Sequence, residues 1–330
     1  MPASTRRRNT ASQKLLVIAA LLVCALGAHA QEGYPSRPLR IIVGFSPGGG
    51  PDITARHIAQ KLGDTLKQPV IVENRPGAGG TVAASMVARS PADGYTLLSV
   101  SSAHAAAAAI YRKLPYDTLK DFAAITQTGT SKYVLVVAPS LAMRNVKALI
   151  DAATARPGQL NFSSAGVGSG THFAAELLKS MASIDVVHVP FKGIPEALSE
   201  TLTGRVHFFM APIANAVNYV KEGRLLGLGV SSLKRDALLP EVPTLDEAGV
   251  QGYDSVLWFG LLGPAGLAAE VKTRLSAAIG QILSDGETRA RWTPIGIEPR
   301  PTTPEEFDRI VRGDIALFTR IARAANITAD

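Results

Sequence analysis

The residues able to do chemistry in this chain sit in two glycine-rich turns rather than in a cluster of acids, bases or thiols. The first turn is Ser46-Pro47-Gly48-Gly49-Gly50. It follows an apolar run, Leu39 to Phe45, broken only by Arg40 and Gly44 and rich in β-branched residues, the pattern of a buried strand. Pro51 suits the first position of a helix, and Ala55, Ile58, Ala59, Leu62 and Leu66 follow at helical spacing. Strand, glycine turn and helix start together aim backbone N–H groups and the positive end of a helix dipole at one spot. Such a spot holds an anion without a cationic side chain. The second turn runs from Ser163 through Gly166-Val167-Gly168-Ser169-Gly170 to Thr171 and His172, again between a strand pattern and a helical one.

Neither turn is a nucleotide motif: the first fails GxGxxG, and GxxxxGK is absent from the chain. A nucleophile elbow needs glycine two residues before the serine, where Ser169 has Val167. Asp52 favours the dipole of its helix start and can pair with Arg56 four residues on. Ser169 and Thr171 suit helix capping, and His172 at a helix start is expected to be a neutral donor. His57, His104, His188 and His207 lack ligand-like spacing, so no metal and no cofactor are expected. If the turns belong to two facing domains, both helix starts converge on one cleft at the carboxyl ends of parallel strands. A carboxylate would be gripped there from both sides, with closure by a hinge motion. The rival readings are a secreted hydrolase using Ser169 and His172, which needs an unseen acid, and a sensor subunit serving a membrane signalling partner.

Composition narrows the class. The chain has 330 residues with 34 Lys+Arg against 27 Asp+Glu. Its first thirty residues read as a secretory leader: Arg6, Arg7, Arg8 and Lys14, then the apolar run Leu15 to Leu26, then Ala28-His29-Ala30 as the cleavage site. Without the four basic residues of the leader the balance is 30 against 27, too even for a nucleic-acid surface. The single cysteine, Cys24, lies inside the leader, so no disulfide is expected in the mature protein. A periplasmic monomer follows as the expectation.

The elements that must position the two turns alternate along the chain. Strands are expected at Val70 to Glu73, Tyr95 to Ser101, Phe122 to Thr126, Tyr133 to Ala138, Leu160 to Ser164, Asp185 to Val189, Val206 to Met210 and Leu225 to Val230, with helices between most of them. Thr128-Gly129-Thr130-Ser131 reads as the crossing into a second domain, and Tyr253 to Leu262 as the strand that crosses back. Helices at Leu267 to Leu283, Glu287 to Trp292 and Pro304 to Ala325 close the chain. The expected division is residues 31–128 with 255–330 as domain 1 and 129–254 as domain 2, each α/β with a mostly parallel sheet flanked by helices.

In order and spacing, YPSRPLRIIVGFSPGGGPDITAR, VIVENRPGAGG, SAGVGSGTH, VPFKG and WFGLLGPAG resemble the Bug-type periplasmic solute-binding proteins, the receptors of tripartite tricarboxylate transporters. The resemblance spans essentially the whole chain after the leader. It implies a two-domain Venus-flytrap fold, no catalysis, a carboxylate-bearing ligand in the interdomain cleft and transporter subunits in the membrane as partners. Carried over by position, it implies ligand contacts from Phe45, Ser46, Gly48, Gly49 and Asp52 in the first turn. In the second it implies Ala165, Gly166, Gly168, Ser169, Thr171 and His172, with Ser101 and Ser102 lining the same cleft and Lys192 and Trp258 near it. One departure stands out: where many relatives carry Asp, this chain has Ala211, which implies a less acidic cleft wall and favours a plain or aromatic carboxylate.

Overall fold

The computed structural model describes residues 33–329, so the expected leader lies outside the described residues. Arg37–Asp330 forms one compact unit. The hydrophobic run after Pro38 becomes β1 (Leu39–Val43), paired in parallel with β2 (Val70–Asn74) on one side and β3 (Thr96–Ser101) on the other. Its four apolar residues are fully buried, as a strand covered on both faces requires. Helices α1 (Gly50–Leu66), α2 (Thr81–Ala88) and α3 (Ala103–Ile110) fill the connections.

The long strand β4 (Phe122–Val137) then runs antiparallel to β9 (Val256–Pro264) and carries the chain from one half of the sheet to the other. Here the structure departs from the sequence reading: the two strands expected at Phe122 to Thr126 and Tyr133 to Ala138 are one continuous strand, with the crossing at Thr128 to Ser131 inside it. Thr, Ser and Gln suit a strand, and the register shifts at Ala124/Thr126 and Gln127/Gly129 absorb the bend without breaking the ladder. Beyond them β4 pairs with β7 (Phe208–Pro212) and β8 (Leu226–Val230), while β5 (Asn161–Ser164) lies parallel to β7 and β6 (Val187–Pro190). The path β2-β1-β3-β9-β4-β7-β5-β6 therefore has parallel wings and an antiparallel centre, with β10 (Ile297–Pro299) added to β4.

Helices α4 (Val146–Ala155), α5 (Gly170–Ala182), α6 (Ile194–Leu202) and α7 (Ile213–Lys221) cover the second wing. The chain returns through α8 (Ala269–Ser284), α9 (Gly286–Trp292) and α10 (Pro304–Ala324) to the first. Helix α10 starts on a full capping box: the Glu306 N–H donates to Thr303 Oγ1 and the Thr303 N–H to Glu306 Oε2. Two apolar cores result. One gathers Ile42, Leu98, Trp258, Phe307 and Phe318, and the other Val134, Phe209, Ala211, Ile213 and Val230. Ala211 thus lies in a core at 0% exposure and not on a cleft wall, so the expected change in wall acidity falls away. Phe173 of α5 joins the first core, its ring 4.6 Å from Phe318, which ties the second wing to α10. Met181, near the end of α5, is exposed.

Phe307 sets the thickness of the first core. A Cβ on Gly260 would lie 2.1 Å from its ring, so the bare backbone of β9 is the floor on which the ring rests. Phe307→Ala is expected to cost about 3–5 kcal/mol of unfolding free energy, read from a urea titration, because that floor cannot rise to fill the void.

Candidate functional site

Both glycine turns lead into helix starts that flank the carboxyl end of β3. Phe259 of β9 pairs in register with Ser101, and its ring lies against Gly50 at the start of α1, where a Cβ would sit 2.2 Å from Cζ. Ser99 Oγ donates to the Pro51 carbonyl at 2.9 Å, tying β3 to the same helix start. On the other side, a Cβ on Gly170 would lie 2.2 Å from Tyr133 Oη and 3.3 Å from Ser102 Oγ. Tyr133 and Ser102 are themselves hydrogen-bonded. Gly168, at φ +78°, closes to where a Cβ would meet Ile110 Cδ1 at 2.3 Å. The second turn is therefore seated directly on α3 and the β3 terminus, and the two helix starts share one region.

Each turn is held rigid by a side chain four residues ahead of a glycine amide. In the first, the Gly48 N–H donates to Asp52 Oδ2 at 3.0 Å. Asp52 also accepts from Arg56 Nε and from Asn74 Nδ2, and Asn74 reaches back to the Phe45 carbonyl. In the second, the Gly168 N–H donates to His172 Nδ1 at 3.2 Å. The Ala165 N–H donates to Thr171 Oγ1, the Gly166 N–H to Ser164 Oγ, and the His172 N–H to Ser169 Oγ as a helix cap. At the helix starts, among the described residues, the N–H groups of Gly49, Gly50, Gly170 and Thr171 have no protein acceptor, and within the turns neither do those of Ser46 and Val167. The four at the helix starts are the first donors of two helices.

This sorts the expected residues. Gly49 presents a free amide, whereas the Gly48 and Gly168 amides are used inside their own turns. Asp52, 3% exposed, has its carboxylate occupied by the turn and braces it, the helix-start role with Arg56 that the sequence suggests. Its burial raises the carboxyl pKa, but Arg56, the Gly48 amide and Asn74 together outweigh burial and hold it below the usual carboxylate value. His172, expected as a donor, accepts at Nδ1 and stacks on His188 with centroids 3.8 Å apart. Ser169 Oγ bonds to the His172 amide and Thr171 Oγ1, not to the His172 ring, so these two do not form a nucleophile and base. Phe45 is half-buried with its ring against Gly80, Ser46 is exposed, and Ser101 and Ser102 are buried between the turns. Trp258 anchors the core through Nε1 donating to Asp314 Oδ2 at 2.6 Å, and Lys192 is exposed. Sequence reasoning missed Tyr133, Phe259, Ile110 and Asn74. Asn74, the last residue of β2, and Phe259 both lay inside motifs already singled out, VIVENRPGAGG and WFGLLGPAG.

No group of His, Cys, Asp and Glu among the described residues could hold a metal. Arg56, on the helix that the first turn begins, is tied to Asp52 and Asn74.

The sequence model for the Tripartite tricarboxylate transporter family receptor matches residues 54–327. Protein BugT of Bordetella pertussis is 31% identical over 315 residues, 94% of this chain and 97% of that protein. Among solved structures, R. palustris Rpa4515 with adipate is 33% identical with a TM-score of 0.84, covering 89% of this chain and 99% of that one. MatC (Rpa3494) from Rhodopseudomonas palustris with bound malate is 32% identical with a TM-score of 0.80, covering 87% and 99%.

Two outcomes test this geometry. Gly170→Ala is expected to destabilise the fold by about 1–3 kcal/mol, because its methyl must displace a buried tyrosine hydroxyl; thermal melting against wild type measures it. Acid should loosen the second turn. Burial, then the neighbouring His172 and Lys179, lower the His188 pKa from its ordinary value of 6.5 to about 3, so folding favours the neutral ring. The stability this contributes is complete above pH 6.5 and is lost as pH falls toward 3. Melting temperatures recorded from pH 7 to pH 4 should fall less steeply in His188→Gln than in wild type.

Proposed function

This chain belongs to the tripartite tricarboxylate transporter receptor family, and from that membership we propose that it captures a small organic carboxylate between its two wings and delivers it to the membrane subunits of such a transporter. The observation that carries the reading is the pair of helix starts with open amides, one from each wing, meeting at the end of β3. Four N–H donors and two dipole ends suit a carboxylate without needing a cation in contact with it. The adipate and malate held by two relatives are acids of this chemical class.

The reading extends to setting and motion. Residues 31–128 with 255–330 would form one lobe and 129–254 the other, hinged where β4 and β9 cross. The setting is extracytoplasmic, and no helix among the described residues is long and apolar enough to cross a membrane. We read the chain as exported to the periplasm by its leader, cleaved after Ala30, and acting there as a monomeric receptor without catalysis.

Calorimetric titration with mono-, di- and tricarboxylates tests the reading directly, and silence across all three classes would remove it. A sharper test deletes one amide. Gly49 has φ −79°, already suited to proline, and a Cβ there comes no closer than 3.7 Å to any atom. Gly49→Pro is expected to lower carboxylate affinity about tenfold or more, while Gly49→Ala, which keeps the N–H, binds like wild type.

A further inference from the structure

Beside the first turn lies a recess lined by Gly44, Phe45, Ser99, Ser101, His104 and Tyr116. It shares Phe45 and Ser101 with the carboxylate site and opens from the same end of β3. No lysine, arginine or carboxylate lines it, and it has room for about one water-sized group. Two polar side chains border it without protein partners among the described residues: Nε2 of His104 and the hydroxyl of Tyr116. Their residues are 6% and 7% exposed, so neither atom is satisfied by bulk water.

The chemistry of the two atoms is complementary. His104 is packed against Tyr116, with parallel rings 6.0 Å apart, and edge-on to Phe122 at 5.0 Å. A hydrogen bond to the Thr118 backbone takes one ring nitrogen, leaving Nε2 as the unoccupied one. Burial lowers the ring's pKa to about 4, so at neutral pH Nε2 is a lone-pair acceptor. Tyr116, whose ionisation burial also opposes, keeps its proton and can donate. A group that both donates and accepts, and is the size of a water, satisfies the pair; a hydroxyl is that group. A carboxylate is not, since it would set a buried charge against the Nε2 lone pair with no cation in reach.

We propose that this recess is a distal subsite for a neutral hydroxyl head, so that the ligand is a hydroxy-substituted monocarboxylic acid, its hydroxyl donating to His104 Nε2 and accepting from Tyr116. The proposal rests on the carboxylate reading for the other end of the ligand and adds what that end cannot specify.

Two matched sets of acids test it by calorimetry: benzoate, para-hydroxybenzoate and terephthalate, and hexanoate, ω-hydroxyhexanoate and adipate. In at least one set the hydroxy acid is expected to bind about tenfold tighter than its parent, with the dicarboxylate weakest. Tyr116→Phe and His104→Phe should reduce that preference to about twofold or less and leave the parent acid's affinity unchanged. Equal affinities for hydroxy and parent acids, tightest binding by the dicarboxylates, or a preference that survives both substitutions would overturn the subsite. Failure of all six acids would overturn it too, while a response to other members of the wider carboxylate panel would keep the capture reading intact. Should either variant fail to fold, the ranking of the acids on wild type decides alone.

Discussion

A site that holds an anion with amides alone works only if those amides cannot turn away. A flexible glycine turn would point its N–H groups at water and lose its field as soon as the ligand left. Here each turn is braced from inside, by Asp52 on the Gly48 amide and by His172 on the Gly168 amide, each four residues along the helix that the turn begins. The brace uses up one donor per turn and fixes the direction of the others. The open amides of Gly49, Gly50, Gly170 and Thr171 are thus fixed parts of a hydrogen-bonded frame, and fixed dipoles stabilise charge without reorganising.

The frame is built on the two long strands at the middle of the sheet. Phe259 of β9 bears on Gly50, and Tyr133 of β4 bears on Gly170, so each helix start rests on an aromatic side chain from a crossing strand. The same two strands join the wings, with bulges in β4 at Ala124/Thr126 and Gln127/Gly129, inside its pairing with β9. A bend at those bulges would move both helix starts at once, which couples the geometry of the donors to the angle between the wings. Phe173, set against Phe318, resists that bend from the side.

Much of this was legible in the chain. The strand, glycine turn and helix at residues 39 to 66, and the second unit at 160 to 181, follow from periodicity and turn chemistry, which are local properties. The bracing pair Asp52 and Arg56 was legible too, being an i,i+4 relation on one helix. The continuity of the crossing was not legible, because by composition Thr128 to Ser131 looks like a break between two strands. A strand's neighbours, not its own residues, decide whether such a stretch is paired. Ala211 was misplaced for the same reason: position along the chain does not tell which side of a sheet is wall and which is core.

What the sequence determined alone was the chemistry on offer: two helix starts rich in amides, a near-even balance of charge, histidines without ligand-like spacing, and a single cysteine, at position 24. That much depends on residue identity and spacing within a few residues. Only the tertiary structure decided which amides stay open, because their competitors, such as the ring of His172 and the carboxylate of Asp52, are fixed by packing as well as by sequence. It alone brought Tyr133, Phe259 and Ile110 to the glycines and left His104 and Tyr116 unpartnered beside Phe45. Contacts between distant segments are set by how the whole sheet buries its apolar faces, and no local pattern encodes them.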